Sequence, residues 1–260
     1  MAIIDTEGVV IKETKYGDTS RILTVVTKQL GKISVLAGNV RRGKSGLLTA
    51  ASLFSYSKFT LFKGGSSSLY KLNDGELIKS FSSLHESLDG MAFAAYFCDV
   101  TNCIVQEESV DIPQTELLIR SLYMLSRASD IRDLEERSAA LEKVKAVFEI
   151  RSLALNGLMP DLKTCGNCGA SDNLHYLSPA EGHIYCDMCG KSHFGAIPIN
   201  DSILAAIAYI VLAPEKKEFS FNLSPKSVAY LSEVSERCAE VLLEHNFKTL
   251  DYLRKVTALG

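Results

Sequence analysis

Short runs of hydrophobic and polar residues, separated by turn-like segments, fill the first 80 positions of the chain. The runs are "GVVIKET", "SRILTVVTKQ", "KISVLAGNV", and two more within "FSYSKFTLFKGG" and "SSSLYKLNDGELIKSF", where "KGGSSS" and "NDG" are predicted to separate strands. Many of their residues are β-branched, and Gly17 and Gly31 lie between the first three runs, where a turn often requires a positive φ. Five short strands joined by close turns predict a small barrel, of the OB type or, as the alternative, SH3-like.

The hydrophobic pattern changes to helical spacing after Ser80. Pro113 precedes the run "QTELLIRSLYMLSRA", as a proline does in the first turn of a helix. Hydrophobic residues at helical spacing extend from Ile131 to Asn156, and Gly157 is a natural stop. One face of a last long helix is predicted by six residues: Val228, Leu231, Val234, Cys238, Val241 and His245.

Two cysteine pairs between the helical segments have the spacing of a zinc site. Cys165 and Cys168 are separated by two residues, as are Cys186 and Cys189, and 17 residues lie between the pairs. Each gap lets a tight turn aim two thiolates at one ion, and the second pair completes a tetrahedron of sulfur. Four thiolates leave no open coordination position, so we expect one structural Zn²⁺. Two reduced or redox-active cysteine pairs are the alternative.

The remaining cysteines and the histidines near the two pairs receive simpler interpretations. Cys98, Cys103 and Cys238 have apolar neighbours and are interpreted as small buried side chains. His175, His183 and His193 are interpreted as solvated loop residues, because four cysteines already complete a zinc site, and metal binding by any of them is the alternative.

These patterns together predict an α+β protein. We expect an OB-type five-stranded β-barrel over residues 1–80 and an α-helical domain over residues 81–160 and 198–260. The four-cysteine zinc module, residues 161–197, is inserted between the two parts of the helical domain.

Charge is distributed unevenly along the chain. Residues 1–80 contain 12 lysines and arginines against 6 aspartates and glutamates, a net charge of +6, whereas residues 81–260 contain 16 against 25, a net charge of −9. A basic first part indicates binding to a polyanion, and ordinary variation of surface charge is the alternative.

The segment "GNVRRGKS", residues 38–45, matches the phosphate-binding pattern G-x-x-x-x-G-K-[ST]. A true P-loop follows a buried strand, opens a sustained helix and belongs to an alternating β-α sheet. Here the following residues, "GLLTAASLFSYSKFTLFKGG", lead back into a strand. We therefore prefer a different interpretation and keep a P-loop phosphohydrolase, with Lys44 and Ser45 as its phosphate and magnesium ligands, as an alternative.

The preferred interpretation is a cationic loop on the barrel. Arg41, Arg42 and Lys44 lie within four positions on a glycine-rich connection, which can follow a phosphate backbone without reading bases. A solvated edge of the barrel is the alternative. The residues predicted to contact DNA are Arg21, Lys28, Lys32, Arg41, Arg42, Lys44 and Lys58.

Aromatic residues are interleaved with these charges: Phe54, Tyr56, Phe59, Phe62 and Tyr70. An OB barrel that binds single strands combines a basic groove with aromatic faces on which bases stack. Aromatic residues in a small barrel also serve as its core, and that alternative stays open.

Two stretches of this sequence resemble the RecO family of bacterial recombination mediators. The stretch "TEGVVIKETKYGDTSRILTVVTKQLGKISVLAGNVRRGKSGLL" is similar to the family's N-terminal OB domain, including its Tyr-Gly-Asp and Leu-Gly-Lys turns and its Arg-Arg-x-Lys-Ser loop. The stretch "VFEIRSLALNGLMPDLKTCGNCG" resembles the helix that leads into the family's zinc module. Family members commonly have Lys-Gly-Ala where this chain has Gly38, Asn39 and Val40, so one positive charge is missing and we expect somewhat weaker DNA binding.

The resemblance implies a function that composition and spacing do not supply. It implies binding to single- and double-stranded DNA, annealing of complementary strands, and partnership with RecR and the single-strand-binding protein SSB to load RecA. No enzymatic activity, small-molecule substrate or membrane association is expected. The N-terminus shows no export signal, so we expect a cytoplasmic, nucleoid-associated protein. A zinc-stabilised protein–protein adaptor with no role at nucleic acid is a third hypothesis.

Overall fold

The chain forms two compact units. The structure is a computed structural model that describes residues 2–18, 20–38, 45–64 and 68–258. One unit contains Met1–Asp130 and Phe247–Gly260, and the other contains Ile131–Asn246. The helices predicted as one domain are thus divided between two units, and the four functional parts proposed from the sequence stay a prediction.

Five strands of the first unit close into a barrel: β1 (Ala2–Tyr16), β2 (Ser20–Thr27), β3 (Gly31–Ala37), β4 (Tyr56–Lys63) and β5 (Tyr70–Lys79). Their order is β1-β2-β3-β5-β4, and β4 pairs with β1 to close the barrel. Every pairing is antiparallel except that of β3 with β5. This arrangement confirms the predicted OB-type barrel.

The barrel interior is filled by the alternate hydrophobic residues of its strands. Its most deeply buried members are Val10, Leu23, Val25, Ile33, Val35, Phe59 and Leu61. β1 pairs with two strands: its first half pairs with β4 and its second half with β2. A register shift between Val10 and Lys12 marks the irregularity where the strand passes from one neighbour to the other.

The segment Asn73-Asp74-Gly75, predicted to separate strands, lies inside β5 instead. The pairing of β5 with β4 skips Asn73, so the predicted turn is a bulge that leaves the strand continuous. Gly75 has a packing role there. A Cβ at this position would lie 3.2 Å from the Cβ of Ala50, so the glycine lets the short helix Ser45–Ala50 pack closely on the strand.

The helices of the first unit are α1 (Ser45–Ala50), α2 (Ser83–Glu86), α3 (Leu88–Ile104) and α4 (Ile112–Ser129), with the last helix of the chain, α9 (Lys248–Thr257). Pro113 lies in the first turn of α4 as predicted, and Asp111 caps that turn by accepting a hydrogen bond from the Gln114 amide at 3.0 Å. Of the two cysteines on α3 that were predicted to be buried, one is exposed. Cys98 is buried as predicted, but Cys103 is exposed, because it lies on the outer side of the helix.

The helices of the second unit are α5 (Leu134–Leu155), α6 (Asp187–Gly190), α7 (Asp201–Leu212) and α8 (Pro225–Leu242). The helix predicted to begin near Ile131 starts after Asp133, whose carboxylate accepts from the Glu136 amide at 2.8 Å. The prediction that His245 continues the face of α8 is wrong. That helix ends at Leu242, and Glu244 has a φ of 48°, which is incompatible with a continuing right-handed helix.

A small sheet lies between α5 and α7 in the sequence of the second unit. Its strands are β6 (Leu174–Ser178), β7 (His183–Cys186) and β8 (Ile197–Pro198), in the order β7-β6-β8. Leu177, Ile184 and Ile197 of this sheet belong to the same buried cluster as Ile207 of α7 and Leu231 of α8. The cysteine module therefore shares its hydrophobic core with the helices of its own unit.

Candidate nucleic-acid interface and metal centre

The four predicted cysteines lie together in the second unit. The Sγ atoms of Cys165, Cys168, Cys186 and Cys189 all lie within 4.8 Å of one another. The first pair belongs to a turn closed by the Gly169 amide, which donates to the Cys165 carbonyl at 2.9 Å. The second pair spans the end of β7 and the short helix α6. Two tight turns thus bring two distant pairs of thiols to one point.

The spacing of the sulfur atoms fits a tetrahedral metal ion. Zn–S bonds of about 2.3 Å in a tetrahedron place the sulfurs about 3.8 Å apart. The Cys168 and Cys186 sulfurs are 3.8 Å apart, much farther than in a disulfide. The cluster could therefore hold one ion with thiolate ligands alone, and such a closed site has a structural role.

Local hydrogen bonds favour the thiolate form at Cys165, the form in which a cysteine binds a metal. Burial alone would raise the pKa of the Cys165 thiol, but backbone amides of Cys168, Cys186 and Asn167 donate to its sulfur and lower the pKa to about 6. The Asn167 side chain also donates to the Cys189 sulfur at 3.3 Å. The Asn167 amide favours the Cys189 thiolate, but burial and hydrogen bonds with the neighbouring thiols raise the pKa of Cys189 to about 11, and thiol neighbours also raise the pKa of Cys168.

Two of the three histidines near the cluster contact carboxylates, His175 and His193, so their interpretation as solvated loop residues is wrong. His175 lies 3.0 Å from Asp187 through Nδ1 and 3.0 Å from Asp201 through Nε2, and these hydrogen bonds, Asp201 first, raise its pKa. His193 stacks on Tyr185 with ring centroids 3.8 Å apart. The exposed His183 packs against the backbone of the cysteine turn.

Three lysines at one end of the barrel are held by carboxylates of the same unit. Lys28 Nζ lies 2.7 Å from Glu116, Lys63 Nζ lies 2.7 Å from Glu108, and Lys32 Nζ lies 3.6 Å from Glu107. We call these three lysines with their carboxylates the sealed end of the barrel. These carboxylates were not predicted from the sequence: Glu107 and Glu108 belong to the acidic run "QEES" after α3, and Glu116 lies on α4.

The contacts of Lys28 and Lys32 are tight enough to be structural. Lys32 is only 8% exposed and donates to the Asn102 carbonyl at 2.7 Å. Gly31, with a φ of +69°, lies so near Ser109 that a Cβ would come within 2.1 Å of its carbonyl oxygen. Partial burial lowers the pKa of Lys28, but its hydrogen bonds with Glu116, Tyr56 and Glu7 raise the pKa above its usual range.

Arg21, another predicted DNA-contacting residue, lies on the barrel away from these carboxylates. Lys15, Arg21 and Ala37 are register neighbours on β1, β2 and β3, and the chain leaves the barrel after Ala37. We call the region formed by Lys15, Arg21 and Ala37 the open end. Arg21 is paired with Glu13 at 2.7 Å, and Lys15 is exposed. Arg41, Arg42 and Lys44 lie outside the described residues.

Lys58 is exposed in the middle of β4. Its register neighbours are Glu7 on β1 and Glu76 on β5, so it lies between two acidic residues. For all seven predicted residues, contact with DNA stays a prediction.

The interleaved aromatic residues serve mainly as core. Phe54, Phe59 and Tyr70 are buried, while Phe62 is half-buried. Tyr56, also half-buried, donates to the Glu7 carboxylate and lies under Lys28, 5.3 Å from its Nζ. Most of the predicted stacking platform is therefore unavailable to bases.

The residues after the P-loop-like segment do not form the surroundings of a P-loop. Helix α1 is six residues long and is followed by the barrel strand β4, whose two neighbours are antiparallel to it. A sustained helix and a parallel sheet, which a P-loop requires, are not found at this place among the described residues.

Among the described residues, no helix combines the length and apolar character needed to cross a membrane.

The closed barrel and the four-cysteine cluster define an OB-barrel protein with a separate candidate metal centre. Residues 1–81 match the family described as Recombination protein O N terminal, and residues 85–251 match Recombination protein O C terminal. Because these matches cover almost the whole chain, the chain belongs to the RecO family.

Individual relatives agree with this assignment. The chain is 34% identical over 256 residues to "DNA repair protein RecO" of Acetivibrio thermocellus, which covers 98% of this chain and 97% of the relative. It is 32% identical over 257 residues to "DNA repair protein RecO" of Alkaliphilus metalliredigens, covering 98% and 100%. A protein of the same name from Dehalococcoides mccartyi is 31% identical over 207 residues, covering 79% and 77%.

Proposed function

We propose that this protein is a DNA repair protein that binds single- and double-stranded DNA and anneals complementary strands. With RecR and SSB as partners, it helps to load RecA onto SSB-coated DNA. The observation that carries the proposal is the similarity over nearly the full length to relatives named DNA repair protein RecO. We place the protein in the cytoplasm, at the nucleoid.

The open end of the barrel is the proposed DNA contact. Arg41, Arg42 and Lys44 follow directly on the strand whose last residue pairs with Arg21. Cations there neutralise phosphates, release counterions and lower the repulsion between two complementary strands. Lys28 and Lys32 take a smaller part in this proposal, because their charges are already matched within the sealed end.

No nucleotide is consumed in the proposed mechanism, because annealing is favourable once phosphate repulsion is lowered. The cysteine cluster takes one Zn²⁺ in a structural role, held by Cys165, Cys168, Cys186 and Cys189. When bound, the ion supplies cross-links between the two turns and no open coordination position for a substrate.

A strand-annealing assay with complementary oligonucleotides, with and without ATP, tests this proposal. We expect annealing without ATP, and slower annealing by the double variant Arg41→Ala/Arg42→Ala. Titrations from about 50 to 200 mM salt should show weaker binding and a salt slope reduced by about two for that variant, because each lost phosphate contact removes about one unit.

The matched control is Lys248→Ala/Lys255→Ala, which removes two exposed positive charges from α9 of the same unit. It should retain the wild-type slope. Annealing that requires ATP and is lost in Lys44→Ala would favour the P-loop alternative. Binding of protein partners without any binding of oligonucleotides would favour the adaptor.

A further inference from the structure

An exposed tyrosine on α4 has a lysine against its ring. The Tyr123 side chain is 42% exposed, and the Lys79 Nζ at the end of β5 lies 5.6 Å from its ring centroid. Arg127 is exposed one helical turn farther along α4. Residues four apart are neighbours on a helix surface, so the two cations flank the same aromatic side chain.

The core does not require this tyrosine. The buried face of α4 is formed by Leu118, Leu122 and Leu125, each 0% exposed, and Tyr123 lies outside that face. Leucine and methionine would continue the helix equally well at an exposed position. A large aromatic ring that is left open to solvent beside two cations therefore has room for an external partner.

The two cations also differ from those of the sealed end. Lys28, Lys32 and Lys63 each have a carboxylate within 4.0 Å. Within the part of the chain that the structure describes, Lys79 and Arg127 form no such ion pair. Their positive charges are available to an anion from outside the protein.

An aromatic face between cations matches the chemistry of a single nucleic-acid strand. Unpaired bases stack on aromatic rings, while lysine and arginine bind the flanking phosphates. In a duplex the base faces are hidden in the stack, so the ring adds nothing to duplex binding. We propose that Lys79, Tyr123 and Arg127 form a second contact surface for single-stranded DNA, in addition to the proposed contact at residues 41–44. This inference rests on the proposed function, since it assumes that the protein meets DNA.

Equilibrium binding of a fluorescent oligo-thymidine and of a duplex of equal length tests the surface. We expect Tyr123→Ala to lose about five-fold or more in affinity for the single strand, the scale of one lost base–aromatic stack, with duplex affinity unchanged. Tyr123→Phe keeps the ring and should bind like the wild type. Lys79→Ala/Arg127→Ala should reduce the single-strand salt slope by about two.

Tyr252→Ala is the matched control, because Tyr252 is 50% exposed on α9 of the same unit. We expect no change in its single-strand affinity. A photo-crosslink from an iodouracil-containing strand should fall on the peptide that contains Tyr123. Thermal melting of each variant establishes that it is folded.

The outcomes separate this inference from the proposed function. Unchanged single-strand affinity in folded Tyr123→Ala, while Arg41→Ala/Arg42→Ala is impaired, overturns the second surface and leaves the proposed function standing. An equal loss on single strand and duplex overturns the stacking role. If the wild type binds no DNA at all, the proposed function fails, and the second surface with it.

Discussion

The barrel and the cysteine module are two β-structures stabilised by different physics. The barrel closes on itself around a continuous interior that includes Val10, Phe59 and Leu61. The module has three short strands, and two of its four thiols, those of Cys165 and Cys186, are themselves part of the buried cluster. The long strands of the barrel enclose their own core, whereas the short strands of the module bury their side chains against neighbouring helices and would gain further stability from an ion held by the four thiols.

The barrel and the cysteine module also differ in how their charged groups are arranged. In the module, backbone amides stabilise the thiolate of Cys165 within the cysteine cluster. In the barrel the charge is positive and divided between cations held by carboxylates and cations open to solvent. Stability and DNA binding should therefore respond to different residues, and four experiments test that separation.

The largest effect is expected from removing half of the metal ligands. Cys165→Ser/Cys168→Ser should abolish stoichiometric zinc binding and loosen β6 and β7. The loss of metal-binding free energy should be up to roughly 10 kcal/mol, the scale for structural zinc in small modules. Because Leu177 and Ile184 stay packed against the helices of the unit, we expect local loosening rather than loss of the unit. Metal analysis and hydrogen exchange measure the two effects.

Barrel amides should keep their exchange protection in this variant, and DNA binding should survive in part. Cys103→Ser, at an exposed cysteine outside the cluster, is the control and should retain full zinc. Purified wild type without zinc would contradict the four-thiolate assignment.

The second experiment destabilises the barrel and should leave the cysteine module intact. Leu61→Ala removes a side chain that is 0% exposed in the barrel core, and we expect a loss of about 2–5 kcal/mol in the free energy of unfolding. Zinc content should stay at the wild-type value. Ile3→Ala, at a position 71% exposed, serves as the control and should change stability by less than about 0.5 kcal/mol. Equal destabilisation of both variants would argue against the closed core.

A smaller effect separates structural cations from binding cations. Lys32→Met removes the charged donor to the Asn102 carbonyl and should cost about 1–3 kcal/mol in the free energy of unfolding. Because Lys32 takes only a smaller part in the proposed contact, DNA affinity and salt slope should change far less in this variant than in Arg41→Ala/Arg42→Ala. A salt slope that falls by one in folded Lys32→Met would return this lysine to the DNA contact.

The smallest effect is a pH dependence at the sealed end. Hydrogen bonds from Tyr56 and Lys28 lower the pKa of Glu7 from its ordinary value of 4.5. Its contribution to stability is thus complete above pH 4.5 and is lost as the pH falls through the lower, folded-state pKa. The melting temperature of Glu7→Gln should lie slightly below that of the wild type at pH 6, and the two should converge near pH 3. A constant difference across this range would show that the Glu7 charge contributes nothing.

Local patterns predicted much of the fold because they act over a few residues. Runs rich in β-branched residues between turn residues located all five barrel strands, Pro113 located the start of α4, and cysteine spacing located the four-cysteine cluster. The failures occurred where one local signal has two outcomes. Asn73-Asp74-Gly75 is typical of a turn, but pairing with β4 kept the strand continuous around a bulge. Cys103 has apolar neighbours in sequence, but its side of α3 faces solvent.

By itself the sequence determined the strands, the helices and the sets of thiols and cations, because periodicity, turn residues and ligand spacing are properties of short segments. Only the tertiary structure decided which lysines have their charge bound by other groups of the same protein. The Lys32 ammonium donates to the carbonyl of Asn102, which lies 70 positions away in the sequence. The Lys63 ammonium donates to Glu108, which lies 45 positions away. A lysine is neutralised only if the fold brings a carboxylate within about 4 Å of it. A short sequence segment cannot reveal that distance, because the partner lies far away along the chain.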